Sequence, residues 1–339
     1  MTAARILLGA LSTAALLPLS ACGGAGATDA PPDPPSCEGL APLCGPAGDE
    51  DCCESPRVEG GRFRPRYDGV SDGYTVDRGE TRVTDLRLDR FEVTVGRWRE
   101  FREAWVTGWR PTPGAGRHAH LRDGAGLVDS SRPGSSESGW EPAWDVEVDP
   151  SDENLRCGER YVTWSRAPGP GDARPVNCVS WFEAYAFCIW DGGFLPTSTE
   201  WNYAASGGSE QRVYPWSRPP GSTAIACDLA NHAGEDGALC EEDGPVSVGS
   251  RSPDGDGRYG QADLAGNVWE WTLDFAPLAE TPPLPCEADC AYLPDAVPNR
   301  DVRGGSFGVG APGLVTSNRS EVTPGRRNAV VGLRCGRAP

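Results

Sequence analysis

The sequence predicts a loop-rich exported fold with few regular elements, closed by disulfides. Three observations point to it. From Arg62 onward the apolar stretches are short, the connections are long, and Gly, Pro and Trp are abundant (44, 32 and 12 of 339 residues). Only a few segments carry a helical or strand period. The first residues read as a targeting segment, and the chain has 13 cysteines, a number that suits an oxidising compartment.

The targeting segment comes first in the chain. Arg5 precedes an uncharged apolar run from Ile6 to Leu19, too short to span a bilayer as a helix and followed by small residues. The run ends in Leu19-Ser20-Ala21-Cys22, which resembles a bacterial lipobox, so Cys22 is expected to carry lipid and become the new N-terminus. The competing reading is an ordinary cut near Ala21 that leaves Cys22 an idle thiol. Gly23 in place of Asp resembles outer-membrane sorting. Residues 1–22 are thus assigned to a lipoprotein signal peptide. Residues 23–36, built largely of Gly, Ala, Pro and Asp, have almost nothing to bury and are assigned to a linker.

Cys37, Cys44, Cys52 and Cys53 crowd residues 37–57, a segment too short for an apolar core of its own. Two disulfides with three possible pairings are expected there. Zinc is the rival reading, without a nearby His to support it. Setting Cys22 aside leaves twelve cysteines, enough for six bridges. The formal net charge of -18 argues against nucleic acid or an anionic membrane surface as partner. There is no Lys in the chain, which we read as coding bias.

In the main domain, residues 58–337, Leu86, Leu88, Phe91 and Val93 alternate as a strand, and at Gly96 the period changes to that of a helix carrying Trp98, Phe101 and Trp105. Ser180 with Glu183 forms a capping box, and the Gly192-Gly193 pair stops the helix that it starts. Thr197 with Glu200 repeats the device, with Gly207 as the stop.

The segments FEVTVGRWREF, PVNCVSWFEAYAFCIWDGGFLPTSTEWNYAASGG, YPWS, DLAGNVWEWTLDF, VRGGSF and VGLRC follow one another in an order that resembles the sulfatase-modifying-factor, or formylglycine-generating-enzyme, family from about Val58 to Cys335. That resemblance implies a single α+β domain of C-type-lectin-like character, low in regular secondary structure and stabilised by calcium and disulfides. It also implies a bridge between Cys188 and Cys335. From proximity alone, Cys157 would pair with Cys178, Cys227 with Cys240, and Cys286 with Cys290.

The oxidases of this family work through two copper-binding thiolates, soft ligands for a soft ion. The first follows an Arg-Gly-Gly-Ser-aromatic motif by two residues, a position held here by Val309, after Arg303-Gly304-Gly305-Ser306-Phe307. The second falls near Leu314, and no cysteine lies between Cys290 and Cys335. Copper is therefore not expected, and neither is cysteine oxidation. Trp269, Arg303, Ser306, Val309 and Arg319 would line what remains of that pocket. By the same resemblance Asp263, Gly266, Val268 and Glu270 would bind calcium through oxygens, the alternative being a tight turn with Glu270 in a salt bridge. A weaker second calcium set is Asn231, His232, Asp236 and Ala238, with Asp243 as an alternative to Asp236.

Three functions compete at this point. A catalytically silent scaffold or module binding an unknown peptide or protein fits an intact frame with an altered centre. An oxidoreductase with other ligands would have to use His118, His120 and His232, the only histidines; the Arg-His-Ala-His stretch reads instead as a glycine-rich loop with two solvated imidazoles. A lectin-like module binding carbohydrate would use exposed tryptophans, for which Trp140 and Trp144 are the candidates, whereas Trp181, Trp190, Trp201, Trp269 and Trp271 read as core.

Overall fold

The computed structural model describes Met1 and residues 33–158, 160–277, 286–295 and 297–339, and residues 33–339 form one compact unit. The signal peptide, Cys22 and most of the linker lie outside the described residues. Among the described residues three α-helices are present: α1 (Val95–Val106), α2 (Trp181–Trp190) and α3 (Ser198–Ala205). The strands are short: β1 (Arg57–Val58), β2 (Gly61–Phe63), β3 (Thr81–Val83), β4 (Leu86–Leu88), β5 (Val128–Asp129), β6 (Trp269–Phe275), β7 (Cys290–Ala291), β8 (Arg300–Arg303), β9 (Ser320–Val322), β10 (Val331–Gly332) and β11 (Gly336–Arg337). They form sheets ordered β1-β4-β11 and β10-β6-β8-β9, with the pairs β2-β3 and β5-β7 beside them. No described helix is long and apolar enough to cross a membrane.

Local chemistry explains the helices. Thr94 caps α1 by accepting from the Arg97 backbone N–H. Ser180 and Glu183, and likewise Thr197 and Glu200, close reciprocal capping boxes on α2 and α3, so backbone donors that would be orphaned inside the protein are satisfied. The stops fall where left-handed backbone is needed, at Gly192 (φ 77°) and Gly207 (φ 67°). α1 and α2 meet through Trp98 and Phe187, stacked with ring centroids 5.3 Å apart. This pair belongs to a core that includes Phe101, Trp181, Trp271 and Leu333. A second core gathers Val58, Leu86 and Leu88 against Trp201 and Tyr203 of α3.

All twelve cysteines of the described residues are paired. Cys188 joins Cys335 across 147 residues, and Cys157–Cys178, Cys227–Cys240 and Cys286–Cys290 form as proximity suggested. In the N-terminal cluster the pairing is Cys37–Cys53 and Cys44–Cys52. Cys44 and Cys52 pack on Phe91, Val248 and Ala262, so this segment borrows its apolar core from the main domain. Ser36 completes the join: its hydroxyl accepts from Arg97 Nε at 2.9 Å and its N–H donates to Asp191 at 3.1 Å.

Candidate functional site

The centre of the domain is built where the turn before β6 meets the motif after β8. Asp263, Gly266 and Asn267 all have left-handed backbone (φ 54°, 93° and 54°). A Cβ on Gly266 would lie 2.4 Å from the Asn231 carbonyl oxygen, so the turn closes only with glycine there. Asn267 N–H donates to that same carbonyl (2.9 Å), Gly266 N–H to the Gly304 carbonyl (2.9 Å) and Phe307 N–H to the Asn267 carbonyl (2.9 Å). The two calcium loops expected from the sequence and the Arg-Gly-Gly-Ser motif are thus bonded into one unit.

Three buried carboxylates, from Glu92, Asp263 and Glu270, surround one buried guanidinium, Arg334. Burial pushes Asp263 up to about 6. Burial, then the charges of Asp263 and Glu270, pushes Glu92 well above the usual carboxylate range. Glu92 accepts from Asn267 Nδ2 at 2.6 Å and from Val268 N–H at 3.2 Å. Glu270 is held on both oxygens, with Oε2 accepting from Trp201 Nε1 and Arg334 Nε and Oε1 from Arg334 Nη2, each at 2.7 Å. This is the salt-bridge arrangement that was the alternative to calcium. Asp263 accepts from Gly249 N–H at 2.6 Å.

The Asn231 loop fits a hard cation better. Asn231 is buried and its Oδ1 has no hydrogen-bond partner, the kind of orphaned oxygen that a bound ion satisfies. Its Nδ2 donates to the Gly244 carbonyl at 2.9 Å, which sets Asn231 beside the Asp243–Gly244 stretch. Asp236 turns to its own hairpin, accepting from Ala238 N–H at 3.0 Å, while the Ala238 carbonyl accepts from Gly234 N–H at 2.7 Å. The His232 carbonyl accepts from Cys240 N–H at 2.9 Å, and its ring Nδ1 lies 3.3 Å from Cys240 Sγ in the Cys227–Cys240 bridge.

Around the expected thiolate positions the frame is closed. Val309 packs between two cores and Leu314 is fully buried. Val309 N–H donates to the Ser306 carbonyl at 3.1 Å, and its own carbonyl accepts from Ala233 N–H at 3.0 Å. Arg303 is buried, with Nε on the Ser198 hydroxyl (2.8 Å) and Nη1 on the Asn318 carbonyl (2.9 Å); burial lowers it to about 10. Arg319 donates to Asp301 at 3.0 Å. The residues expected to line one remnant pocket therefore divide. Trp269 lines a groove of about 320 Å³ with Asn299, Val302, Glu321, Asn328 and Val330, whose walls do not include Arg303, Ser306, Val309 or Arg319.

Two expectations are corrected. His118 is not solvated: it is fully buried with Nδ1 3.1 Å from Glu137 and Nε2 3.2 Å from Glu200. Burial opposes its protonation, but the two carboxylates outweigh that and raise it to about 10. Nor do the candidate tryptophans form an exposed platform. Trp140 is 1% exposed, with Nε1 on Asp145 at 2.9 Å, and Trp144 packs edge-on against Trp181 at 5.5 Å. The sequence reading passed over Glu92 and Arg334. A carboxylate between the apolar Phe91 and Val93 was the available signal for the first.

Residues 41–339 match the sulfatase-modifying factor enzyme 1-like domain. The chain is 31% identical over 245 residues to the formylglycine-generating enzyme of Thermomonospora curvata, covering 64% of this chain and 70% of that one. It is 40% identical over 119 residues to the inactive C-alpha-formylglycine-generating enzyme 2 of Bos taurus, covering 32% of this chain and 38% of the relative. Among solved structures, Treponema denticola variable protein 1 (TM-score 0.53, 18% identity, 84% of this chain and 95% of that one) and PvdO from Pseudomonas aeruginosa (0.52, 19%, 84% and 93%) share the C-type-lectin-like α+β fold. The chain belongs to the sulfatase-modifying-factor family, whose members include both formylglycine-generating enzymes and proteins named inactive.

Proposed function

We propose that this chain is an exported, lipid-anchored member of the family, at the outer membrane, that does not oxidise cysteine and serves as a peptide- or protein-binding module. The observation that carries the reading is the state of its sulfur. Val309 stands where the first copper thiolate is expected, and every described cysteine is half of a disulfide, so none offers the thiolate that copper(I) demands. The retained Arg-Gly-Gly-Ser frame and the Trp269 groove support a surface still shaped for an extended ligand. Calcium is proposed as a structural ion held at Asn231, whose unpartnered oxygen supports it.

The test uses the chelator-dialysed mature protein, exposed separately to calcium, copper(I) and iron(II). Metal content, oxygen uptake with a cysteine peptide of the sulfatase type, and binding of that peptide by fluorescence anisotropy are then measured. Retention of calcium and saturable peptide binding without oxygen uptake are the expected results. Peptide-dependent uptake with stoichiometric copper or iron would overturn the silent reading.

A further inference from the structure

Arg300 is 5% exposed, yet it forms no ion pair within 4 Å with any described residue. Its guanidinium lies between two rings, 3.6 Å from the centroid of Trp181 and 3.5 Å from that of Phe275. Nη1 donates to the Leu273 carbonyl at 2.7 Å, and Nε is buried without a partner. Aromatic faces return part of what desolvation costs a cation, but a buried charge without a counter-ion remains expensive. Burial lowers Arg300 to about 9, against the pull of Tyr185, Asp274 and Glu141.

This guanidinium lines a cavity of about 220 Å³ with Trp144, Trp181, Tyr185, Phe275 and Leu293. The other charges at the cavity are already engaged or stand apart. Arg132 is bound to Asp129 and Asp295, each at 2.7 Å, and Glu137 is held by His118 and by the Leu127 N–H. Glu141 is exposed. The cavity thus sets the aromatic and apolar side chains of Trp144, Trp181, Tyr185, Phe275 and Leu293 beside polar and charged ones, and Arg300 is its one cation without an ion pair among the described residues.

We propose that this cavity is a binding site for a small organic carboxylate with an apolar or aromatic body, its carboxylate paired with Arg300 and its body against Trp144, Tyr185 and Leu293. One guanidinium matches a single negative charge with fork geometry. A dianionic phosphate would meet one guanidinium for its two charges, and the Glu141 and Asp295 carboxylates, which any anion meets here, would oppose it about twice as strongly as a monoanion. The volume limits the occupant to a small molecule. The site is independent of the peptide-binding reading, because the Trp269 groove has a different lining.

The test is titration of the intact mature protein with benzoate, hydrocinnamate and hexanoate, with hydrocinnamide and inorganic phosphate as comparators, followed by tryptophan fluorescence and calorimetry. Saturable binding of at least one carboxylate, with the neutral amide and phosphate at least about tenfold weaker, is expected. Trp144→Ala leaves Arg300 in place and should weaken the carboxylate about tenfold, while Arg300→Met should abolish the preference for carboxylate over amide. Should the Arg300 variant fail to fold, the amide comparison and Trp144→Ala decide alone. No binding by any acid, equal binding of acid and amide, binding of phosphate as tight as that of the acids, or an unaffected Trp144→Ala each overturn the assignment.

Discussion

His118 shows how much a single side chain can hide. The stretch Arg117-His118-Ala119-His120 sits among glycines, and nothing local marks one imidazole as buried. Its partners Glu137 and Glu200 lie 19 and 82 residues away, beyond any periodic signal. Because its folded-state value, about 10, exceeds the value near 6.5 of an unfolded chain, the native state holds the proton more tightly. The stability it contributes is full below about pH 6.5 and is gone once pH passes the folded value of about 10. Urea unfolding from pH 6 to 11 should show that decline, and His118→Gln should remove it. At Glu270 the charge-neutral Glu270→Gln removes the carboxylate hydrogen-bonded to Arg334 and leaves only Glu92 and Asp263 as nearby acids, a loss of up to roughly 3 to 5 kcal/mol in equilibrium unfolding. Glu270 itself was visible in the sequence; its partner Arg334, 64 residues on, was not.

Elements were most legible where their chemistry is local. Both capping boxes lie within four consecutive residues, and α2 and α3 start where those residues say they do. Ser180→Ala should lower stability by about 1 kcal/mol in the same unfolding assay, with the fold retained. The strand at Leu86 ends at Leu88, sooner than the alternation through Val93 suggested. β6 was not foreseen as a strand, because the residues at its start read as ligands for an ion; a seven-residue strand paired on both edges emerges only when β8 and β10 arrive from later in the chain. The turn after β8 is equally dependent on its surroundings. Gly305 has φ 76°, and a Cβ there would sit 2.7 Å from Leu314 Cδ2 and 2.9 Å from the Gly313 carbonyl oxygen. Gly305→Ala should therefore cost more than the roughly 1 to 2 kcal/mol of left-handed strain alone, read as a drop in melting temperature.

At the scale of the whole molecule, loops this long hold together because covalent closure and shared cores compensate for sparse hydrogen-bond ladders. The Cys188–Cys335 bridge spans 147 residues, and chain-entropy arguments assign a closure of that length on the order of 4 to 5 kcal/mol. Replacing both cysteines with Ala should reduce unfolding free energy by about 2 to 5 kcal/mol, measured against the parent protein under non-reducing conditions. The loop-rich fold and the family frame could be read from the residues, and this pairing followed from the family resemblance. The cavity at Arg300 could not, since its walls come from the 138–144 stretch, α2, β6, residues 293–295 and β8.

The sheet β1-β4-β11 carries a consequence for where the domain begins and ends. Arg57 and Arg337 both stand opposite Arg87, on either side of β4, which sets them about 10 Å apart at ordinary strand spacing. The first and last strands of the lectin-like body thus lie side by side. Tension applied between those two points would load the short ladders flanking β4 and, through Val58, Leu86 and Leu88, the core around Trp201.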